Sequence, residues 1–180
     1  RDHAGNLWVV GAGGLCLFDP QKKPSEAFTA YPYKDPSKYP NFYTALLLRH
    51  QNALLLSGLS GVSLFDLTTR TWSQLADRSN YAKKHTVTAR YMLEPDDPTL
   101  FQTGTVLLCT EATSLIKYNY LTGIFQELPP VSALSPTIRY AQLVNRTIWM
   151  ASDNGLIKLP TTPKGKAQLF SEKEGLPDAV

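Results

Sequence analysis

Trp8-Val9-Val10-Gly11-Ala12-Gly13-Gly14-Leu15-Cys16-Leu17-Phe18-Asp19 is one of four stretches with nearly the same pattern. The others run from Leu55 to Asp66, from Leu108 to Asn119 and from Trp149 to Pro160. Each opens on a large apolar residue and continues into a polar turn, mostly with glycine. An aliphatic residue follows seven positions after the first: Leu15, Val62, Leu115 and Leu156. Three positions further on comes Phe18, Phe65, Tyr118 or Leu159. A spacing that recurs four times marks an internal repeat, and a repeat decides the fold before any single residue does.

The anchors Leu15, Val62, Leu115 and Leu156 are 47, 53 and 41 residues apart. Periods of about 40 to 50 residues fit propeller blades or helical arrays of the armadillo kind. Leu7 and Val9, then Leu15 and Leu17, alternate at a period of two, as strands do. No apolar period of 3.6 survives ten residues without a proline or glycine. The 13 Pro and 11 Gly fall largely between the candidate strands, where chain breakers belong. The 7 Phe, 3 Trp and 9 Tyr suit a β-rich chain.

Each repeat reads as a meander. A strand ends near Trp8–Val10, a tight turn over 11–14 uses glycine for its positive φ, and a second strand covers Leu15–Phe18. Asp19-Pro20 turns the chain. An outer strand carries an aromatic residue: Phe28, Trp72, Phe125 or Phe170. A further strand precedes each hairpin, at 43–49, 86–93, 138–144 and, truncated, 179–180. The expectation is an all-β propeller of about four blades, each of four antiparallel strands, over repeats 1–42, 43–85, 86–137 and 138–180. The anchors then form blade-to-blade core, with Trp8 and Trp149 filling wedges and each indole N–H seeking a carbonyl.

Charge and cysteine content bound the function. Eighteen basic and 15 acidic residues give a net charge of +3, too weak and scattered for a nucleic-acid footprint. Cys16 and Cys109 lie two repeats apart, too distant for a bridge, and read as small core residues. No run approaches the ~20 apolar residues of a membrane helix. The sequence has no initiating Met and no signal peptide, and reads as a piece of a longer polypeptide, tied to a membrane only through segments outside it.

The segment Asp2-His3-Ala4-Gly5-Asn6-Leu7-Trp8-Val9-Val10-Gly11, then Gly14-Leu15 and Phe18-Asp19-Pro20, resembles the two-component regulator propeller repeat. So do Thr147-Ile148-Trp149-Met150-Ala151-Ser152 with Asn154-Gly155-Leu156. The segment Phe170 to Val180 resembles that family's connector into a following blade. Repeat two departs in having Leu55 for the tryptophan, and repeat three in having Glu111-Ala112-Thr113 where glycine is expected. The resemblance implies the periplasmic sensor region of a Bacteroides-type hybrid two-component histidine kinase. It implies a fragment of a seven-bladed propeller that responds to an oligosaccharide and signals to a kinase, without catalysing a reaction itself. Protein-interaction or dimerisation scaffolds, and propeller glycan lyases or hydrolases, are the alternatives.

The residues offer little catalysis. His3, His50 and His85 share no metal-type spacing. Asp96-Asp97 between prolines reads as a solvated turn, and Gly11 to Gly14 lacks the Lys-Ser/Thr of a phosphate loop. No metal and no cofactor is expected. The long inter-blade loops 31–42, 77–90 and 129–139 are the expected ligand face. The first carries Tyr33, Lys34, Lys38 and Tyr39, and the second Tyr81, Lys83, Lys84 and His85. Aromatic faces stack on sugar rings and cations pair with carboxylates or sulfates. The bland alternative is that these tyrosines pack on neighbouring blades. The ends of the sequence suggest an arc, covered by the remaining blades of the same chain or by a second copy.

Overall fold

The computed structural model describes residues 1–33, 41–73, 75–110, 115–128, 138–161 and 165–176. Its strands are β1 (Leu7–Gly11), β2 (Gly14–Phe18), β3 (Phe28–Pro32), β4 (Phe42–Leu47), β5 (Ala53–Gly58), β6 (Gly61–Asp66), β7 (Thr71–Ser73), β8 (Ala89–Leu93), β9 (Thr105–Thr110), β10 (Leu115–Asn119), β11 (Ile124–Glu127), β12 (Ile138–Val144), β13 (Thr147–Ser152), β14 (Gly155–Pro160) and β15 (Gln168–Phe170). A short helix, α1 (Tyr81–Lys84), lies between β7 and β8. No helix among the described residues is long and apolar enough to cross a membrane.

The strands form four antiparallel meanders: β1-β2-β3, β4-β5-β6-β7, β8-β9-β10-β11 and β12-β13-β14-β15. β1 packs against β4, β4 against β8, and β8 against β12. The leading strands of successive sheets therefore stand side by side, which makes each sheet a blade of a β-propeller with β4, β8 and β12 as innermost strands. The first blade has three strands among the described residues rather than the expected four, and its β1 is the counterpart of β5, β9 and β13. Every outer-strand aromatic falls where the repeat places it, in β3, β7, β11 and β15.

The core follows from side-chain alternation. In β5, Leu54 and Leu56 enter a cluster with Leu15, Phe65 and Trp72 between the first and second blades. Ala53 and Leu55 face the other way, into a cluster with Val106, Leu108 and Tyr118 of the third blade. In β9, Leu107 and Cys109 join Ile148, Met150 and Ile157 between the third and fourth blades. β5 and β9 are thus buried on both faces along their whole length. Each leucine so buried contributes about 1.5–3 kcal/mol.

The anchors obey one rule. Leu15, Val62 and Leu115 each look toward the following blade, and Phe65, Tyr118 and Leu159 each look back at the preceding one. The register corrects one equivalence. Trp8 pairs with Leu17, Leu55 with Leu64 and Trp149 with Lys158, but it is Leu107 that pairs with Lys117. The counterpart of Trp8 in the third repeat is therefore Leu107, not Leu108. Repeat three has one more residue between the paired positions, and a one-residue slip turns every side chain to the other face.

Two tryptophans also differ from expectation. The Trp8 indole packs in the first wedge, 5.5 Å from Phe65 between ring centroids. Its N–H donates to the Asp2 carboxylate at 2.8 Å rather than to a carbonyl. It is Trp72 that donates to a carbonyl, that of Pro32, at 2.8 Å. Trp149 lies between Ile148 and Met150, both in the wedge core, so it faces away from the third blade and stacks on Phe170 instead. Both cysteines are free thiols.

Candidate functional site

The connection from the second to the third blade builds a pocket. Asp77 accepts N–H bonds from Tyr81 at 3.1 Å and Ala82 at 2.9 Å, and the Ser79 hydroxyl at 2.8 Å. These bonds satisfy the first turn of α1, whose donors have no partner within the helix. Ser79 Oγ in turn accepts the Phe125 N–H at 3.1 Å, and the Arg78 N–H donates to the Gly123 carbonyl at 2.7 Å. The loop is thereby stitched to the outer hairpin of the third blade.

Between α1 and the β5–β6 turn lies a cavity of about 170 Å³. Val62, Leu75, Val87 and Phe125 give it an apolar floor, while Ser60, His85 and Thr86 give it a polar edge. The Tyr81 ring stacks on His85 at 4.6 Å and on Phe125 at 5.9 Å between centroids. Its hydroxyl donates to Glu127 Oε2 at 3.2 Å. Burial, and then the Glu127 charge, raise the Tyr81 pKa, so the phenol stays a neutral donor. An apolar floor with a few polar groups is how small-molecule sites are lined, and this cavity is smaller than the roughly 300–1,000 Å³ usual for them.

The sequence-derived site residues distribute as follows. Tyr81 and Lys84 lie on α1, Lys84 is exposed, His85 lines the cavity, and the Lys83 side chain is outside what the structure describes. Tyr33 belongs to a different wedge. It packs edge-on against Phe42 and Trp72 and its hydroxyl meets Ser63 Oγ at 3.1 Å. Lys34, Lys38 and Tyr39 lie outside the described residues.

The other sequence candidates resolve into structure. Asp97 accepts the Thr99 N–H at 2.9 Å and the Thr99 hydroxyl at 2.6 Å, closing a turn, and Asp96 pairs with Arg49. His3 Nε2 lies 3.0 Å from the Leu48 carbonyl, linking the first blade to the second. Among the described residues, no group of three His, Cys, Asp or Glu side chains could hold a metal ion.

Sequence reading missed two features. The apolar floor of the cavity comes from Val62, Leu75 and Phe125, which look like any core positions. The other is a buried carboxylate, Glu94, which accepts the Arg49 N–H at 3.0 Å and the Tyr120 hydroxyl at 2.7 Å. A lone glutamate beside Pro95 gives no signal of burial.

No protein-family model and no curated protein sequence matches the chain. Solved structures do. The extracellular domain of the putative hybrid two-component system BT3049 from B. thetaiotaomicron matches 94% of this chain at 17% identity with a TM-score of 0.73. The extracellular domain of the putative one-component system BT4673 from the same organism matches 95% at 16% identity, with a TM-score of 0.66. PorZ, a surface component of the type-IX secretion system of Porphyromonas gingivalis, matches 92% at 12% identity with a TM-score of 0.53. The chain spans 24%, 23% and 20% of those three proteins. At such identities the likeness is one of fold: the blades described above are built as those of the extracellular sensor domains are.

Proposed function

We propose that this chain is a segment of an extracytoplasmic, ligand-sensing propeller in a hybrid two-component sensor. In this reading it binds an oligosaccharide in the periplasm and passes the signal to a histidine kinase of an inner-membrane protein. The observation that carries it is the fold likeness to two sensor domains over nearly the whole chain. The Gly-Asn-Leu-Trp pattern at 5–8 supports the same assignment. The cavity beside α1 gives a ligand a place to sit, with His85 on its polar edge and the Tyr81 ring stacked on His85.

The test is phosphotransfer by the full-length protein in membranes, across a panel of glycans. One or more glycans should change kinase phosphorylation, and a Tyr39→Ala, Lys84→Ala double variant should weaken the response. A kinase that no glycan moves, or a full-length gene that encodes none, would overturn the reading.

A second reading rests on the first blade. Leu7, Val9 and Phe28 are 40%, 43% and 56% exposed. Register places them with Cys16 and Phe18 on the face turned away from the second blade. Such a face suits the remaining blades of the same chain or a second copy. Sedimentation of the full-length protein separates these: a monomer argues for blades in cis, a dimer for a self-association scaffold.

A further inference from the structure

The innermost strands share an irregularity. In β4 the register shifts between Phe42 and Thr44, in β8 between Ala89 and Tyr91, and in β12 between Ile138 and Tyr140. The bulged residue is the second of its strand every time: Tyr43, Arg90 and Arg139. A bulge forfeits ladder bonding and re-aims a side chain, and bulges gather at rims and sites. Here three adjacent strands carry one at the same height, where the inter-blade loops feed in. What they re-aim is a tyrosine and two arginines.

The row is joined across the blades by a cation–ring contact and by a ring–ring contact. The Arg90 guanidinium lies 3.9 Å above the Tyr43 ring. The next residues along, Tyr91 and Tyr140, bring their rings to 5.2 Å. Arg139 Nε donates to Asp153 Oδ1 at 2.8 Å, in a pair whose side chains are 68% and 44% exposed. Tyr140 is 51% exposed and Arg90 is also on the surface. In this row the Arg139 guanidinium meets the Asp153 carboxylate at the surface, and the Arg90 guanidinium lies over the Tyr43 ring. An exposed ion pair of this kind is worth little, so an incoming anion can compete for Arg139.

We propose that this bulge row is an anion-reading subsite at the inner rim of the propeller. It takes a carboxylate or sulfate carried on a ring, with Arg90 and Arg139 holding the anion and Tyr43 and Tyr140 facing the ring. Guanidinium forks match both oxyanions, and tyrosine faces accept a ring without fixing its identity. The proposal rests on the sensing reading above and narrows its ligand to the acidic class.

The test is calorimetry on the full-length protein with three probes: hexagalacturonate, a heparin hexasaccharide and neutral maltohexaose. An acidic probe should bind more tightly than maltohexaose, and more weakly as salt rises. Arg90→Gln with Arg139→Gln should weaken it roughly tenfold or more. Asp153→Asn should strengthen it by about threefold, because it frees Arg139 from its partner; misfolding does not produce that sign. Binding of hexagalacturonate alone identifies a carboxylate, and of the heparin fragment alone a sulfate. Acidic probes no tighter than maltohexaose, or an affinity that ignores both arginines, would overturn the subsite. If maltohexaose then still drives the kinase, the sensing reading stands without it. If acidic probes bind as expected but no glycan moves the kinase, the subsite stands and the sensing reading fails.

Discussion

The Tyr120 hydroxyl donates to Glu94 Oε1 at 2.7 Å while accepting the His50 N–H at 3.1 Å. Glu94 Oε2 takes the Arg49 N–H at 3.0 Å. The turn after β4 in the second blade is thus bonded, backbone to side chain, to two buried groups of the third. Glu94→Ala removes the acceptor and leaves the Arg49 N–H and the Tyr120 hydroxyl without it. Each buried group left unsatisfied costs about 1–3 kcal/mol. Urea denaturation should show a loss of about 2–4 kcal/mol. A change within about 0.5 kcal/mol would mean that the link is replaced by water.

Alkali should loosen the third blade. Burial pushes the Cys109 thiol up to about 12 and the Tyr118 phenol to about 12. Tyr120 also rises to about 12, through burial and its bond to Glu94. Above about pH 9 the unfolded chain releases protons that the native one still holds. Stability is therefore whole below that pH and falls as pH rises toward 12, by about 1.4 kcal/mol per unit for each group so held. Cys109→Ala should delay the onset to about pH 10, where tyrosine begins to titrate. Melting temperatures across this range check both the sign and the onset.

At the acid end Asp2 is one of four carboxyls, among the described residues, held below their ordinary values, with Asp66, Asp97 and Glu174. Burial alone would raise its carboxyl, but bonds from the Trp8 indole, the Asn6 amide and the Ala4 and Asn6 backbone N–H groups outweigh that and bring it below its ordinary value of 3.8. A depressed native value means that this stability is present above the ordinary value and lost as pH falls through the native one. Trp8→Phe removes one donor without disturbing the turn. It should move the acid midpoint upward and lower stability at neutral pH by about 1 kcal/mol. An unmoved acid midpoint would show that the indole bond contributes nothing to the depression.

The blades were legible because their signal is local. Strand alternation, the polar turn and one aromatic residue on the outer strand all sit within about twenty residues of each other. The third repeat shows where that stops. Leu108 and Leu107 are both leucines in a run apolar on both faces, so sequence cannot say which is the counterpart of Trp8. The pairing of Leu107 with Lys117 decides it. The site was legible in part. Tyr81 and His85 were visible as a cluster in one loop. The cavity floor is gathered from two blades, with Val62 from the second and Phe125 from the third, and the bulge row at Tyr43, Arg90 and Arg139 is assembled by register shifts that no composition reveals.

The hairpin glycines should separate by what faces them. Gly14 and Gly155 open β2 and β14 at φ values of 148° and 126°. A Cβ at Gly14 would stand 2.5 Å from the Tyr31 carbonyl oxygen, and one at Gly155 would stand 2.2 Å from that of Phe170. Both oxygens are on the adjoining outer strand, so relief requires prising β3 or β15 away. Gly61 opens β6 in the same way, at φ 96°, but its Cβ would meet the Val87 oxygen at an ordinary 3.5 Å. Gly61→Ala therefore carries only left-handed backbone strain, about 1–2 kcal/mol. Gly155→Ala adds a backbone clash and should cost about 3 kcal/mol or more. Chemical denaturation of the two variants side by side measures the gap. Equal losses would mean that β15 yields freely, and that the fourth blade is held by β12 to β14 alone.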